Sequence, residues 1–156
     1  MILFYNFRGI AYLKLKFNND NGLLNEVAFS DFSELKPSPG KLTFTQHEII
    51  TFLDSYEKNP HLSFSLLDFD NKSEFSISVY KTLATIPFGS AITYSQLSYK
   101  IGRPKAYRAI GNIMGKNPFP IIIPCHRVVG KHNLGGYTSG IEIKKTLLEY
   151  ESSYPK

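Results

Sequence analysis

The chain holds one cysteine, Cys125, in the run Ile123-Pro124-Cys125-His126-Arg127-Val128-Val129. A thiol next to an imidazole can supply a nucleophile, because the thiolate is the reactive form and a nearby histidine raises its fraction. A lone cysteine also serves as a small buried hydrophobe, so the pair needs support from its surroundings. One cysteine cannot close an intramolecular disulfide, which suits a reducing, intracellular compartment. His47, His61 and His132 lack the spacing of metal ligands. Asp68 and Asp70 lack the glycine and glutamate of a calcium loop and read as surface loop.

The elements that must position Cys125 lie on both sides of it. Upstream, residues 93–102 read as a short helix closed by Gly102. Arg103-Pro104 makes a turn, and residues 105–116 form a second helix. Two short helices around a tight turn are a helix-turn-helix pattern. The second helix carries Lys105, Arg108 and Lys116 together with the small residues Ala106, Ala109, Gly111 and Gly115. Small residues let a backbone approach another surface, either a nucleic acid or the protein's own interior. Asn117-Pro118-Phe119-Pro120 is a rigid turn, and Ile121–Ile123 reads as a short buried strand or extended run that Pro124 stops. The glycine-rich loop 134–140 has no phosphate-loop or dinucleotide fingerprint and reads as a pocket wall. Residues 143–151 form a last helix with Leu147 and Leu148 on its buried side.

Charge divides along the chain. Of the net +5, residues 1–72 contribute −2 (seven Lys/Arg, nine Asp/Glu) and residues 73–156 contribute +7 (eleven Lys/Arg, four Asp/Glu). A phosphate-rich partner for the second part fits this asymmetry. The first part reads as a strand-rich α/β unit. Strands are expected over 2–7, 10–17 and 23–29, with a turn at Asn18-Asn19-Asp20-Asn21-Gly22 and a break at Ser38-Pro39-Gly40. A helix is expected over 45–58. Asn71-Lys72-Ser73-Glu74 reads as a capping box opening a helix to Ala84. The domain boundary is placed at residue 72, giving domains 1–72 and 73–156. No apolar run is long enough to span a bilayer, and the N-terminus reads as a strand, not as a signal peptide. A cytoplasmic location is expected, or a nuclear one in a eukaryote.

Several segments occur together in order: Ile86-Pro87-Phe88-Gly89, Tyr94-Ser95-Gln96-Leu97, Pro104–Gly111, Gly115-Lys116-Asn117-Pro118, Ile121–Val129, Gly135-Gly136-Tyr137 and Lys144–Glu151. The set resembles the O6-alkylguanine-DNA alkyltransferases over about residues 75–151. The resemblance implies that Cys125 accepts the alkyl group, that His126 acts as base through a water, and that Glu151 orients the imidazole. Tyr94 would donate toward guanine N3, and Asn117 would brace the turn carrying the Cys-His segment. Main-chain carbonyls near Cys125 and Val128 would read the exocyclic amine, and Tyr137, Thr138 and Ser139 would wall the pocket. Arg108 would fill the stack vacated by an extruded nucleotide. Ala106 and Gly111, with Lys105 beside them, would let the second helix enter the minor groove. Two positions depart from the pattern. Tyr107 stands where many relatives have a small residue, and Ser139 stands where glycine is frequent.

The fold class expected is α/β: by resemblance a small ribonuclease-H-like N-terminal sheet-and-helix domain, then a mainly helical, winged-helix-like helix-turn-helix domain. The expected reaction is stoichiometric transfer of an alkyl group from O6-alkylguanine, less readily O4-alkylthymine, in double-stranded DNA to Cys125. No cofactor, metal or membrane is implied, and a monomer is expected. A non-catalytic lesion-binding protein and a plain helix-turn-helix regulator are the rival readings; neither has a use for Cys125 beside His126.

Overall fold

The computed structural model describes residues 1–31 and 40–155, and the chain divides into two compact units, Met1–Asp70 and Asn71–Lys156. In the break expected at Ser38-Pro39-Gly40, Ser38 and Pro39 lie outside the described residues.

In the first unit, β1 (Ile2–Phe7), β2 (Ala11–Phe17) and β3 (Leu24–Ser30) form an antiparallel sheet in the order β1-β2-β3. Period-two alternation buries Leu3, Phe7, Leu13, Leu15 and Phe17 on the core side, and Leu24 and Val27 of β3 join them on either side of a register shift opposite Lys16 and Phe17. The β2–β3 turn is held by asparagine side chains: Asn18 Oδ1 accepts from the Asp20 amide and Asn21 Oδ1 from the Leu23 amide, each at 2.9 Å. Helix α1 (Phe44–Asp54) opens on a capping box between Thr43 and Gln46 and buries Ile49 and Leu53. It is shorter than the expected helix over 45–58. The Arg8 guanidinium takes the last carbonyls, Leu53 O at 3.0 Å and Asp54 O at 2.9 Å, and the chain tightens into a 3-10 turn at Tyr56–Lys58. Asp68 serves the loop as a hydrogen-bond acceptor, its Oδ2 taking 2.9 Å from Asn18 Nδ2.

The second unit is built on α2 (Glu74–Ala84), β4 (Ile92–Thr93), α3 (Tyr94–Lys100), α4 (Tyr107–Gly115), β5 (Val128–Val129) and α5 (Ile141–Ser153). The cap of α2 is Ser73, whose side chain accepts from the Ser76 amide. Asn71, the cap expected from sequence, instead has a left-handed backbone with φ 63° and lies outside the helix. Helices α3 and α4 form the helix-turn-helix pair, with Leu97 and Ile110 fully buried. Strands β4 and β5 pair in parallel, Ile92 with Val128 and Thr93 with Val129. This two-residue ladder brings Tyr94, the first residue of α3, against the segment that follows Cys125-His126. The expected strand at Ile121–Ile123 is a buried turn instead, with Ile121 at φ 73°. The Ile123 amide donates back to Phe119 O at 2.8 Å and closes the turn, and Pro120 and Pro124 on either side lack amide donors to extend a ladder. Cys125–Arg127 is likewise a 3-10 turn and not an extended segment.

Thr93 fixes where α3 begins: its side chain accepts from the Gln96 amide while Gln96 Oε1 accepts from the Thr93 amide at 2.7 Å. Thr93→Ala removes half of that box and lowers stability by about 1 kcal/mol. Urea unfolding of the two proteins measures the difference.

Candidate active site

Asn117, at the C-terminal end of α4, is the first support of the cysteine. Its Nδ2 donates to Cys125 Sγ at 3.2 Å and to Ile123 O at 2.9 Å, while its Oδ1 accepts from the Phe119 amide at 3.0 Å. One side chain thus closes the 117–125 loop from both directions. Cys125 itself is buried. Burial pushes its thiol above the ordinary value; the Asn117 hydrogen bond and the Lys144 charge oppose that rise without cancelling it. The thiol therefore holds its proton at neutral pH and needs a base to become a nucleophile.

His126 faces another group. Its Nε2 lies 2.8 Å from Glu151 Oε1, on α5, with both side chains buried. Glu151 also accepts from Arg127 Nε at 2.9 Å, from Arg127 Nη2 at 3.0 Å and from the Gly89 amide at 2.9 Å. Burial alone would raise the Glu151 carboxyl; the hydrogen bonds and charges of His126 and Arg127 outweigh it and hold the carboxyl down at about 2. Burial pushes His126 below its ordinary value, and Glu151 only partly pulls it back. The imidazole is neutral near pH 7. Because Glu151 is ionised, Nε2 must donate to it, which leaves Nδ1 as the basic nitrogen.

Tyr94, the first residue of α3, packs against the glycine-rich loop 134–140. Its phenol accepts a hydrogen bond from the Gly136 amide, and burial raises its pKa above the ordinary value. The phenol is a proton donor at neutral pH. Gly135 permits the contact: at φ 70° a Cβ there would sit 2.9 Å from the Tyr94 ring and 3.0 Å from its hydroxyl. Thr138 Oγ1 donates to Gly115 O at 2.9 Å, tying the pocket loop to the end of α4. Val128 is buried, and Tyr137 and Ser139 are half-buried in the same loop region. Arg108 and Lys105 are exposed at the N-terminal end of α4. Ala106 caps that helix without a side-chain hydrogen bond.

Two buried charges had no role assigned from sequence. Arg127 spans Glu151 and Ile86 O, the latter at 2.6 Å from Nη1. Lys144 is fully buried and donates from Nζ to Val128 O at 2.6 Å and to Gly136 O at 3.3 Å. Burial lowers its ammonium pKa to about 8. Lys144, Leu147 and Glu151 stand at i, i+3 and i+7, one face of α5. A lysine and a glutamate flanking a leucine on one face is the signal that could have revealed the buried pair.

Residues 74–153 match the family model described as 6-O-methylguanine DNA methyltransferase, DNA binding domain. A probable methylated-DNA–protein-cysteine methyltransferase of Acanthamoeba polyphaga mimivirus is 40% identical over 143 residues, 91% of each chain. A methylated-DNA–protein-cysteine methyltransferase of Methanosarcina barkeri is 43% identical over 102 residues, 65% of each. Among solved structures, the O6-methylguanine methyltransferase of Mycobacterium tuberculosis has a TM-score of 0.73 at 31% identity, covering 100% of this chain and 96% of that one. Another Mycobacterium tuberculosis structure, in complex with DNA, has a TM-score of 0.70 at 31% identity, covering 97% and 92%. The chain belongs to the O6-methylguanine-DNA methyltransferase family. Its mixture of helices and small sheets is that of the family's solved structures. Among the described residues, no group of three or more His, Cys, Asp or Glu side chains could hold a metal, and no helix is long and apolar enough to cross a membrane.

Stability follows the acid limb of the buried network. Glu151 is lowered in the folded state, so its contribution is complete above its ordinary 4.5 and is lost as the pH falls toward about 2. That contribution is on the order of 3 kcal/mol. His126, also lowered, adds a loss of the same sign that begins below its ordinary 6.5. Urea unfolding across pH 7 to 3 is expected to show both. Glu151→Gln lowers stability at pH 7 by about 3–5 kcal/mol and flattens the fall below pH 4.5.

Proposed function

We propose that the protein repairs DNA by direct reversal, moving the alkyl group of O6-alkylguanine, and less readily of O4-alkylthymine, onto Cys125. The observation that carries this reading is the arrangement around the cysteine. A buried protonated thiol is held by Asn117 at 3.2 Å, next to a neutral imidazole anchored on Glu151 at 2.8 Å. Family membership supports it independently.

The chemistry is an in-line displacement. His126 Nδ1 takes the Cys125 proton through a water, and the sulfur attacks the alkyl carbon. The S–C bond forms as the C–O6 bond breaks, and that electron pair passes into the guanine ring. Tyr94 transfers its phenol proton to guanine N3, so the base leaves neutral, and the tyrosinate regains a proton from solvent. The imidazolium that forms is stabilised by the Glu151 carboxylate, the third member of a generalised nucleophile–base–orienter set. The product is a thioether, which has no ready route back to a thiol, so each molecule acts once.

The reacting atom is inside a duplex, so the nucleotide must leave the stack. Helix α4 and the turn that leads into it present Lys105, Ala106, Arg108 and Gly111 for entry into the minor groove, with Arg108 filling the gap. The degenerate minor-groove code suits repair in any sequence. In the pocket, main-chain carbonyls near Cys125 and Val128 accept from the exocyclic amine, and the backbone amides of Tyr137, Thr138 and Ser139 face O6. No cofactor takes part, and the protein acts as a monomer in the cytoplasm, or in the nucleus of a eukaryote.

Incubation with a duplex containing O6-methylguanine, followed by intact-protein mass measurement, tests the reading. One methyl replaces the thiol proton, the added mass maps to Cys125, and Cys125→Ala shows none. Tight binding without a mass change identifies a lesion-binding protein instead. Arg108→Ala slows repair of duplex DNA by at least about tenfold, the scale of one lost stacking contact. The same variant leaves transfer from a free alkylated guanine base unchanged; equal losses on both substrates remove the flipping role.

A further inference from the structure

Tyr107 is the first residue of α4 and is 45% exposed. It heads the row Tyr107, Gly111, Gly115, whose spacing of four places all three on one helix face. The rest of that row faces Tyr94 and the glycine-rich loop 134–140. A Cβ at Gly111 would lie 3.8 Å from the Tyr94 ring, and one at Gly115 would lie 3.8 Å from Thr138 Oγ1. The row therefore runs from the pocket wall to the exposed end of the helix, where it finishes in a large aromatic ring. The guanidinium of the next residue, Arg108, stands over that ring, 5.9 Å from its centroid. Ring and cation form one unit. Lys100, Arg103 and Lys105 are exposed in the same helix-turn-helix segment. Their charge selects a polyanion over an apolar protein as the partner that covers Tyr107.

We propose that Tyr107 is a second DNA-contacting side chain, stacking on a base step that flanks the extruded nucleotide while Arg108 fills the vacated position. The inference rests on the reading of the chain as a DNA alkyltransferase and adds a residue to its interface. An aromatic face stacks on any base, which keeps the contact independent of sequence. A wedge at the minor groove also opens and kinks the step it enters. That offsets the room Tyr107 takes from a helix whose other small residues favour close approach. The Arg108 guanidinium, already against the ring, keeps both groups at the helix end before DNA arrives.

The chain contains no tryptophan, so Tyr107→Trp installs a single fluorescent reporter at the contact. Titration with an unmodified duplex measures binding without alkyl transfer. The Tyr107→Trp emission is expected to be quenched as the duplex saturates. Tyr107→Ala is expected to bind at least about tenfold more weakly, and Tyr107→Phe within about twofold of the parent. Transfer from a free alkylated guanine base stays unchanged in all three. Unchanged emission at saturating DNA, unweakened binding by Tyr107→Ala, or equal loss on duplex and free base overturns the proposal. A protein that never alkylates Cys125 overturns the repair function and leaves the binding test of Tyr107 standing.

Discussion

The second unit depends on one carboxylate. Glu151 sits almost out of solvent at the end of α5 and collects the Gly89 amide, the His126 imidazole and the Arg127 guanidinium. A buried carboxylate in such a place is costly unless every lone pair has a donor. Meeting that demand fixes three parts of the chain at once: the loop after α2, the 3-10 turn carrying the cysteine, and the last helix. It also decides the tautomer of His126, and so which ring nitrogen can accept a proton.

The cysteine and the histidine are consequently held by different anchors. Asn117 holds Cys125 from the α4 side, and Glu151 holds His126 from the α5 side. In the 3-10 turn, successive side chains diverge by roughly 120°. Sulfur and imidazole therefore do not form a resting ion pair. This keeps the buried thiol protonated until a base is needed. Lys144 adds a third tie: its ammonium grips Val128 O and Gly136 O, linking β5 to the pocket loop. Thr138 and Tyr94 then join that loop to both helices of the helix-turn-helix pair.

Much of this was legible in the sequence, for identifiable reasons. The three N-terminal strands follow from alternation and from an asparagine-rich turn, and their extents differ by only a residue. Helices α3 and α4 follow from the closing Gly102, the Arg103-Pro104 turn and the small and basic residues of the second helix. What escaped were features set by long-range contacts. The β4–β5 ladder is two residues long on each side, too short for any periodicity. Ile121–Ile123 has a strand's composition but a turn's backbone, because the Ile123 amide donates back to Phe119 O and the Ile123 carbonyl is taken by Asn117. Helix α1 stops early because Arg8, far upstream, takes its final carbonyls. Arg127 and Lys144 are charged residues that composition assigns to the surface. Only the tertiary demand of Glu151, Val128 O and Gly136 O buries them.

The central claim is that a neutral His126, not a preformed thiolate, makes Cys125 reactive. The single-turnover rate of alkyl transfer to Cys125, followed against pH in the unaltered protein, tests it most directly. The expected rate rises only through the depressed titration of His126, below 6.5, and is level across neutrality. A rate that instead climbs steadily from pH 7 to beyond 9, tracking ionisation of the thiol itself, would contradict it.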